Sequence, residues 1–345
     1  MPGETLLNAF DAVLADLDGV VYAGPHAIPG AVETLQLLTK AGVKLAYVTN
    51  NASRTPANVA AHLRELGAPA DDDQVVSSAQ AGAALLAEKF SPGSKVLVIG
   101  SKALAQEVEL VNMTVVGSAA DAPDVVIQGF DPALAWPDLA EAAFAINAGA
   151  AWIATNTDMT IPQDRGIAPG NGALVAAVRA AVEHEPWVAG KPEAPLFHTA
   201  AQRLGANNPL VVGDRLDTDI LGGNNARMAT ALVLTGIDSA ESALRARSAE
   251  RPRFIISSLD GLNQPYPEIS QVRGVFTCGD EQASVDGNTI TATLSSENED
   301  GQCNLNAARA MCAAWWDAVS QTDTATDPQV VFQQAVSGIE NGGLR

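Results

Sequence analysis

Asp16-Leu17-Asp18-Gly19-Val20-Val21 follows directly on an apolar run, residues 12–14, that reads as a strand. Two carboxylates at i and i+2 of an extended segment project to the same side. The carboxyl end of a parallel strand is also where α/β sheets open their ligand crevice. Gly19 lets the chain turn sharply away. A plain strand-ending turn accounts for an Asp-Gly pair equally well, so the weight falls on what surrounds it.

Working outward, residues 31–41 read as a helix with Val32, Leu35, Leu38 and Thr39 on one face and Gly42 as its stop. Residues 44–48 are a second strand, and residues 55–66 a second helix that begins near Pro56. Further short apolar runs at 96–99, 125–127, 152–154, 210–212 and 231–234 alternate with helical patterns. This rhythm predicts an α/β protein with parallel sheets covered by helices. It changes after Gly261. Residues 263–267, Asn-Gln-Pro-Tyr-Pro, read as a linker. Strand-like segments follow at 272–278 and 289–294, the second preceded by an Asp286-Gly287 turn and carrying Ile290, Ala292 and Leu294 on one face. Residues 305–319 form a helix with Met311, Cys312, Trp315 and Val319, and Asp327-Pro328 starts a last helix ending near Gly342.

The 345 residues carry 40 Asp and Glu against 20 Lys and Arg, a net charge of −20. Nucleic acid and anionic membrane surfaces are therefore excluded as main partners, since both need a basic footprint. Residues 264–345 hold 11 acidic and 3 basic residues, so net −8 of the excess lies in the tail. No apolar run spans a bilayer, and the first residues lack the basic start of a secretory signal. Cys278, Cys303 and Cys312 form neither a CxxC pair nor an even set, which points to reduced thiols and a cytoplasmic enzyme.

Three further stretches sit at strand ends. Gly213-Asp214-Arg215-Leu216-Asp217-Thr218-Asp219 follows the strand at 210–212. Asp214 suits a hard cation, Asp217 and Thr218 stand where a helix begins and can cap it, and Asp219 lies one turn further on, placed to support a metal site from behind. Three carboxylates gathered at neighbouring strand ends repel strongly without a cation, and oxygen ligands with room for water and phosphate suit Mg²⁺. Thr49-Asn50-Asn51 offers a hydroxyl and amides that can hold phosphate oxygens, or simply a loop. Lys191, in Gly190-Lys191-Pro192, is one of only six lysines and the only one in the last 243 residues. A lysine so placed reads as a counter-charge in an acidic crevice.

The order DxDGV, TN, GKP and GDxxxTD resembles the haloacid dehalogenase (HAD) phosphatase superfamily. The wording DLDGVVY, TNN, GKPE and GDRLDTDI is most similar to its NagD-like, 4-nitrophenylphosphatase branch, and within it to glycerol-3-phosphate and phosphoglycolate phosphatases. The resemblance covers about residues 10 to 262 and implies a HAD Rossmann-like core. It implies Asp16 as nucleophile, forming an aspartyl-phosphate, and Asp18 as general acid and base. It further implies Mg²⁺ held by the Asp16 carboxylate, the Asp18 main-chain carbonyl and Asp214, with Asp219 in support. Thr49, Asn50, Asn51 and Lys191 are the implied phosphate and substrate contacts.

Asp16 and Thr49 are 33 residues apart, which leaves room for one helix and one strand; Thr49 and Lys191 are 142 apart. Residues 80–185 are therefore expected as an inserted α/β cap of the C2 type between core segments 1–79 and 186–262, with residues 268–345 a small α+β extension. Such a lid favours a small phosphorylated metabolite as partner and allows a homo-oligomer through the cap. Within the cap, Asn156, Thr160, Ile161 and Arg165 are candidate substrate contacts. Ile161 stands before Pro162 where some relatives have His, which favours a small polyol phosphate such as glycerol 3-phosphate over pyridoxal phosphate. The tail resembles part of an acetyltransferase-like (GNAT) domain, Gln271-Val272-Arg273-Gly274 standing for the start of its pyrophosphate loop. Neither GxGxxG nor a P-loop occurs.

Overall fold

A computed structural model describes residues 5–163, 165–295, 304–320 and 327–334. Three sheets organise the chain. The first has six strands in the order Phe254–Ile256, Ala229–Val233, Pro209–Gly213, Ala12–Ala15, Lys44–Thr49 and Val75–Ser77, and every pair is parallel. Ala12–Ala15 and Pro209–Gly213 lie at its centre and are buried throughout, as expected where helices cover both faces. The fold is α/β with a Rossmann-like core, as expected. Helix Ala31–Lys40 packs Leu35 and Leu38 on one face, and helix Pro195–Leu204 packs Leu196 and Phe197 on the other.

Between Val75–Ser77 and Pro209–Gly213 the chain builds a second sheet in the order Trp187–Val188, Ala151–Ala154, Val125–Gln128, Lys95–Ile99 and Thr114–Val116. It too is wholly parallel and constitutes the inserted α/β cap. A short antiparallel pair, Thr160–Gln163 with Gly166–Pro169, extends from it.

The C-terminal sheet runs Ile269–Val272, Val275–Cys278, Glu281–Asp286, Thr289–Leu294 and Gln329–Gln334. Helix Leu305–Ala318 covers it, as the apolar pattern with Met311, Cys312 and Trp315 requires. Two expectations are corrected here. Asp327-Pro328 starts no helix: it leads into strand Gln329–Gln334, which pairs in parallel with Thr289–Leu294. Pro is tolerated at the start of an edge strand as readily as at the start of a helix. The remainder of that expected helix, with Cys303, lies outside the described residues. Likewise 272–278 is not one strand. Arg273 and Gly274 both have positive φ, 51° and 79°, and turn the chain between two antiparallel strands. Gln271–Gly274 thus forms a hairpin rather than the start of a phosphate loop.

The extension is bound to the core sheet along its outer strand. Arg309, buried, donates from Nε and Nη2 to the Ile255 carbonyl at 2.9 and 2.7 Å and from Nη1 to Asn306 at 2.8 Å. Its guanidinium lies 4.4 Å from the Tyr266 ring centroid. The Tyr266 hydroxyl accepts from the Ile255 amide, so the expected linker is fastened down. Cys278, Ile290, Met311 and Trp315 share one apolar cluster with Leu216, Ile220 and Leu232 of the core. Arg309→Ala should cost about 2–3 kcal/mol, because it strips a buried carbonyl of charged donors. Denaturant unfolding checks this; a change below ~0.5 kcal/mol would contradict the contact's importance.

Candidate active site

The core strands end where the acidic residues begin. Asp16 follows Ala12–Ala15, its amide donating to the Val212 carbonyl at 2.8 Å. Asp214 follows Pro209–Gly213, and the next turn, Leu216–Ile220, is a π-helical one that swings Asp219 back toward the strand ends. Asp16, Asp214 and Asp219 each place a carboxylate oxygen within 4.8 Å of the others. Gly19 makes this closeness possible. Its φ is +78°, and a Cβ there would stand 2.2 Å from Asp214 Oδ2.

Lys191 reaches into this cluster. Its Nζ lies 2.6 Å from Asp16 Oδ1 and 2.8 Å from Asp219 Oδ1 and donates to the Val48 carbonyl at 3.0 Å. Burial alone would lower its pKa, but the Asp16 and Asp219 charges override burial and raise it. Burial first, then Asp219, drives the Asp16 carboxyl well upward, Lys191 opposing. Burial and Asp219 also push Asp214 up to about 6. One lysine thus faces three carboxylates and leaves the site negative.

The fit to a cation is direct. Asp214 Oδ2 accepts from the Ile237 amide at 2.8 Å, while its buried Oδ1 has no hydrogen-bond partner among the described residues. A set made of oxygens, with one anionic oxygen unsatisfied, matches a hard divalent cation.

Asp18 lies at the mouth, open to solvent on one side. The surrounding protein raises its carboxyl pKa, with Lys191, Arg54 and His62 opposing. Thr49 is buried, its Oγ1 accepting from the Asn51 amide at 3.1 Å. The Asn51 side chain turns away to Ser53, accepting from its amide and hydroxyl at 2.8 Å each. Asn50 is clamped onto Lys191, Oδ1 accepting from the Lys191 amide at 2.7 Å.

In the cap, Asn156 is held against the core, its Nδ2 donating to the Asn50 carbonyl at 2.7 Å. Thr160 and Ile161 lie on the strand of the cap's antiparallel pair, and Arg165, exposed, follows in its turn. Among the described residues, no hydrogen bond joins these three to the acidic cluster. Asp158 was not among the expected contacts, yet its carboxylate accepts from Asn50 Nδ2 at 3.1 and 3.0 Å. Its only visible signal was its place two residues after Asn156. Asp219, expected in support of the metal site, lies within the acidic cluster, its Oδ2 accepting from the Arg215 amide at 3.1 Å and its Oδ1 standing 2.8 Å from Lys191 Nζ.

A family model described as haloacid dehalogenase-like hydrolase matches residues 13–114, and a second, HAD-hydrolase-like, matches residues 188–262. D-glycerol 3-phosphate phosphatase of Mycobacterium tuberculosis is 42% identical over 318 residues, 91% of this chain and 88% of that protein. A crystal structure of glycerol phosphate phosphatase from M. tuberculosis in complex with magnesium superposes with a TM-score of 0.83 at 40% identity, covering 96% of this chain and 95% of that one. The 5'-nucleotidase YutF of Bacillus subtilis is 36% identical over 255 residues, 73% of this chain and 97% of that protein. The chain belongs to the haloacid dehalogenase-like hydrolases. Within them it is a phosphoric monoester hydrolase, the activity class its relatives' names share.

Proposed function

We propose that the chain is a Mg²⁺-dependent phosphatase of a small phosphate ester, best glycerol 3-phosphate, acting through an aspartyl-phosphate. The observation that carries the chemistry is the group of half-buried Asp16 and buried Asp214 and Asp219 around Lys191, with one Asp214 oxygen unsatisfied. Asp16, Asp214 and the Asp18 main-chain carbonyl would hold the ion, which when bound offsets the charge of the ester and the acids.

A carboxylate oxygen of Asp16 attacks phosphorus, and the bond from phosphorus to the ester oxygen breaks. The departing alkoxide takes the proton of Asp18, whose raised pKa suits a proton carrier. Asp18, now a carboxylate, removes a proton from water as that water attacks phosphorus; the bond from phosphorus to the Asp16 oxygen breaks, the Asp16 carboxylate is restored and inorganic phosphate leaves. Thr49, the amide of Asn50 and the Lys191 ammonium stabilise the phosphoryl oxygens. The inserted unit expected over residues 80–185, whose sheet runs on to strand Trp187–Val188, acts as a cap that closes over the crevice and keeps out bulk water and large esters. Asn156, Thr160, Ile161 and Arg165 face the leaving group in that closed form.

The substrate reading is supported by the relative that matches this chain through its C-terminal extension and is named for D-glycerol 3-phosphate. A phosphate-release screen with Mg²⁺ tests it. Glycerol 3-phosphate should give the highest kcat/KM among small esters, with phosphoglycolate, sugar phosphates, nucleotides and pyridoxal phosphate below it. A nucleoside monophosphate ranking first would favour instead the specificity named for the B. subtilis relative.

A further inference from the structure

Four segments of the chain meet on Asn50. Its Oδ1 accepts from the Lys191 amide, and its Nδ2 donates to the Lys191 carbonyl at 3.1 Å. The same Nδ2 donates to both oxygens of Asp158. Its own carbonyl accepts from Ser78 Oγ at 2.6 Å and from Asn156 Nδ2. Asp158 and Asn156 stand on the loop after strand Ala151–Ala154 of the cap. That loop is stiff. Asn156 Oδ1 accepts from the Asp158 amide at 3.2 Å, and the Asp158 carbonyl accepts from the Gly172 amide at 2.8 Å. A Cβ at Gly172 would stand 2.2 Å from the Thr157 carbonyl oxygen, so the loop seats directly on the start of helix Asn171–Arg179.

A fifth carboxylate, added to Asp16, Asp18, Asp214 and Asp219 beside a crevice that must receive a phosphate, is electrostatically costly. Asp158 has no cationic partner within ion-pair distance among the described residues, and both its oxygens engage Asn50 instead. Its geometry therefore serves the asparagine. We propose that Asp158 is a positioning residue, a latch by which the cap loop seats on Asn50 and thereby fixes the main chain of Lys191 and its ammonium between Asp16 and Asp219. Asp158 touches no reacting atom in this arrangement. The inference rests on the phosphatase reading for its kinetic consequence, not for its geometry.

The test uses the full-length chain with Mg²⁺ and two esters, glycerol 3-phosphate and p-nitrophenyl phosphate. In Asp158→Ala, kcat should fall roughly 10- to 100-fold on both esters, with KM changing less than about 3-fold. Asp158→Asn keeps an acceptor oxygen for Asn50 Nδ2 and should recover kcat to within about 5-fold of the parent. Hydrogen exchange of the metal-free protein should show faster exchange of the amides at 156–158 and 191 in Asp158→Ala and near-parent rates in Asp158→Asn. Three results would overturn the latch: parent-like kcat and exchange in Asp158→Ala, a KM increase confined to glycerol 3-phosphate, or an Asp158→Asn variant as impaired as the alanine one. If the parent releases phosphate from neither ester, the phosphatase reading fails, and the exchange rates still decide the latch.

Discussion

Asp16→Asn should abolish phosphate release while leaving the protein folded. The amide oxygen is a poor nucleophile, so the aspartyl-phosphate cannot form, and losses of roughly 10⁴-fold or more accompany removal of a covalent catalyst. The fold should hold because the substitution removes one negative charge from a site with three. Lys191 keeps Asp219 at 2.8 Å and the Val48 carbonyl at 3.0 Å, so its ammonium is not left unpaired. The metal-free variant should melt at or above the parent's temperature, and the stabilisation that Mg²⁺ gives should shrink. Steady-state phosphate release with thermal melting checks both halves. A variant retaining a tenth or more of the parent's activity would remove Asp16 from the nucleophile's role.

Chelation should stop turnover, and the benefit of Mg²⁺ to stability should grow with pH. Burial, with Asp219 second, raises Asp214 to about 6 in the folded chain; unfolded, an aspartate titrates near 4. Between those values the folded form holds a proton that the unfolded form has released. Stability of the metal-free protein is therefore lost as pH rises from about 4 through 6, and this group accounts for about 3 kcal/mol by pH 7. A cation takes the place of that proton and returns the loss. In excess chelator the melting temperature should fall between pH 5 and 7.5. Saturating Mg²⁺ should add little at pH 5 and several degrees at pH 7.5. A Mg²⁺ effect equal at both pH values would mean that the acids are not the ion's ligands.

The core was legible because its chemistry sits at strand ends that announce themselves locally. Asp16, Asp18 and Asp214 follow apolar runs and precede glycine or a polar turn, and Lys191 stands out through the scarcity of lysine. Features decided at long range were hidden. Val75–Ser77 has three residues and owes its existence to Lys44–Thr49 beside it. Glu281–Asp286 lacks the β-branched character of a strand, yet Glu281 is buried, with Ser295 and Asn304 donating to it. Gln329–Gln334 follows the same Asp-Pro signal that starts many helices, and only its neighbour Thr289–Leu294 decides otherwise. Asp158 escaped because spacing along the chain does not give the side of a loop that meets another loop.

The cluster shared by Leu216 and Ile220 with Trp315 and Met311 bears on how such a protein can be rebuilt. The turn that carries Asp219 has its apolar back in the same cluster as Met311 and Trp315 of the final quarter of the chain. Ending translation near residue 262 would bare that back, leaving an oily patch next to the ion-binding loop and inviting aggregation. Grafting the extension onto a shorter relative would fail for the converse reason, unless the residues that greet it travelled along. The last quarter of this chain is less an appendage than one half of a joint, and any recombination must cut around the joint rather than through it.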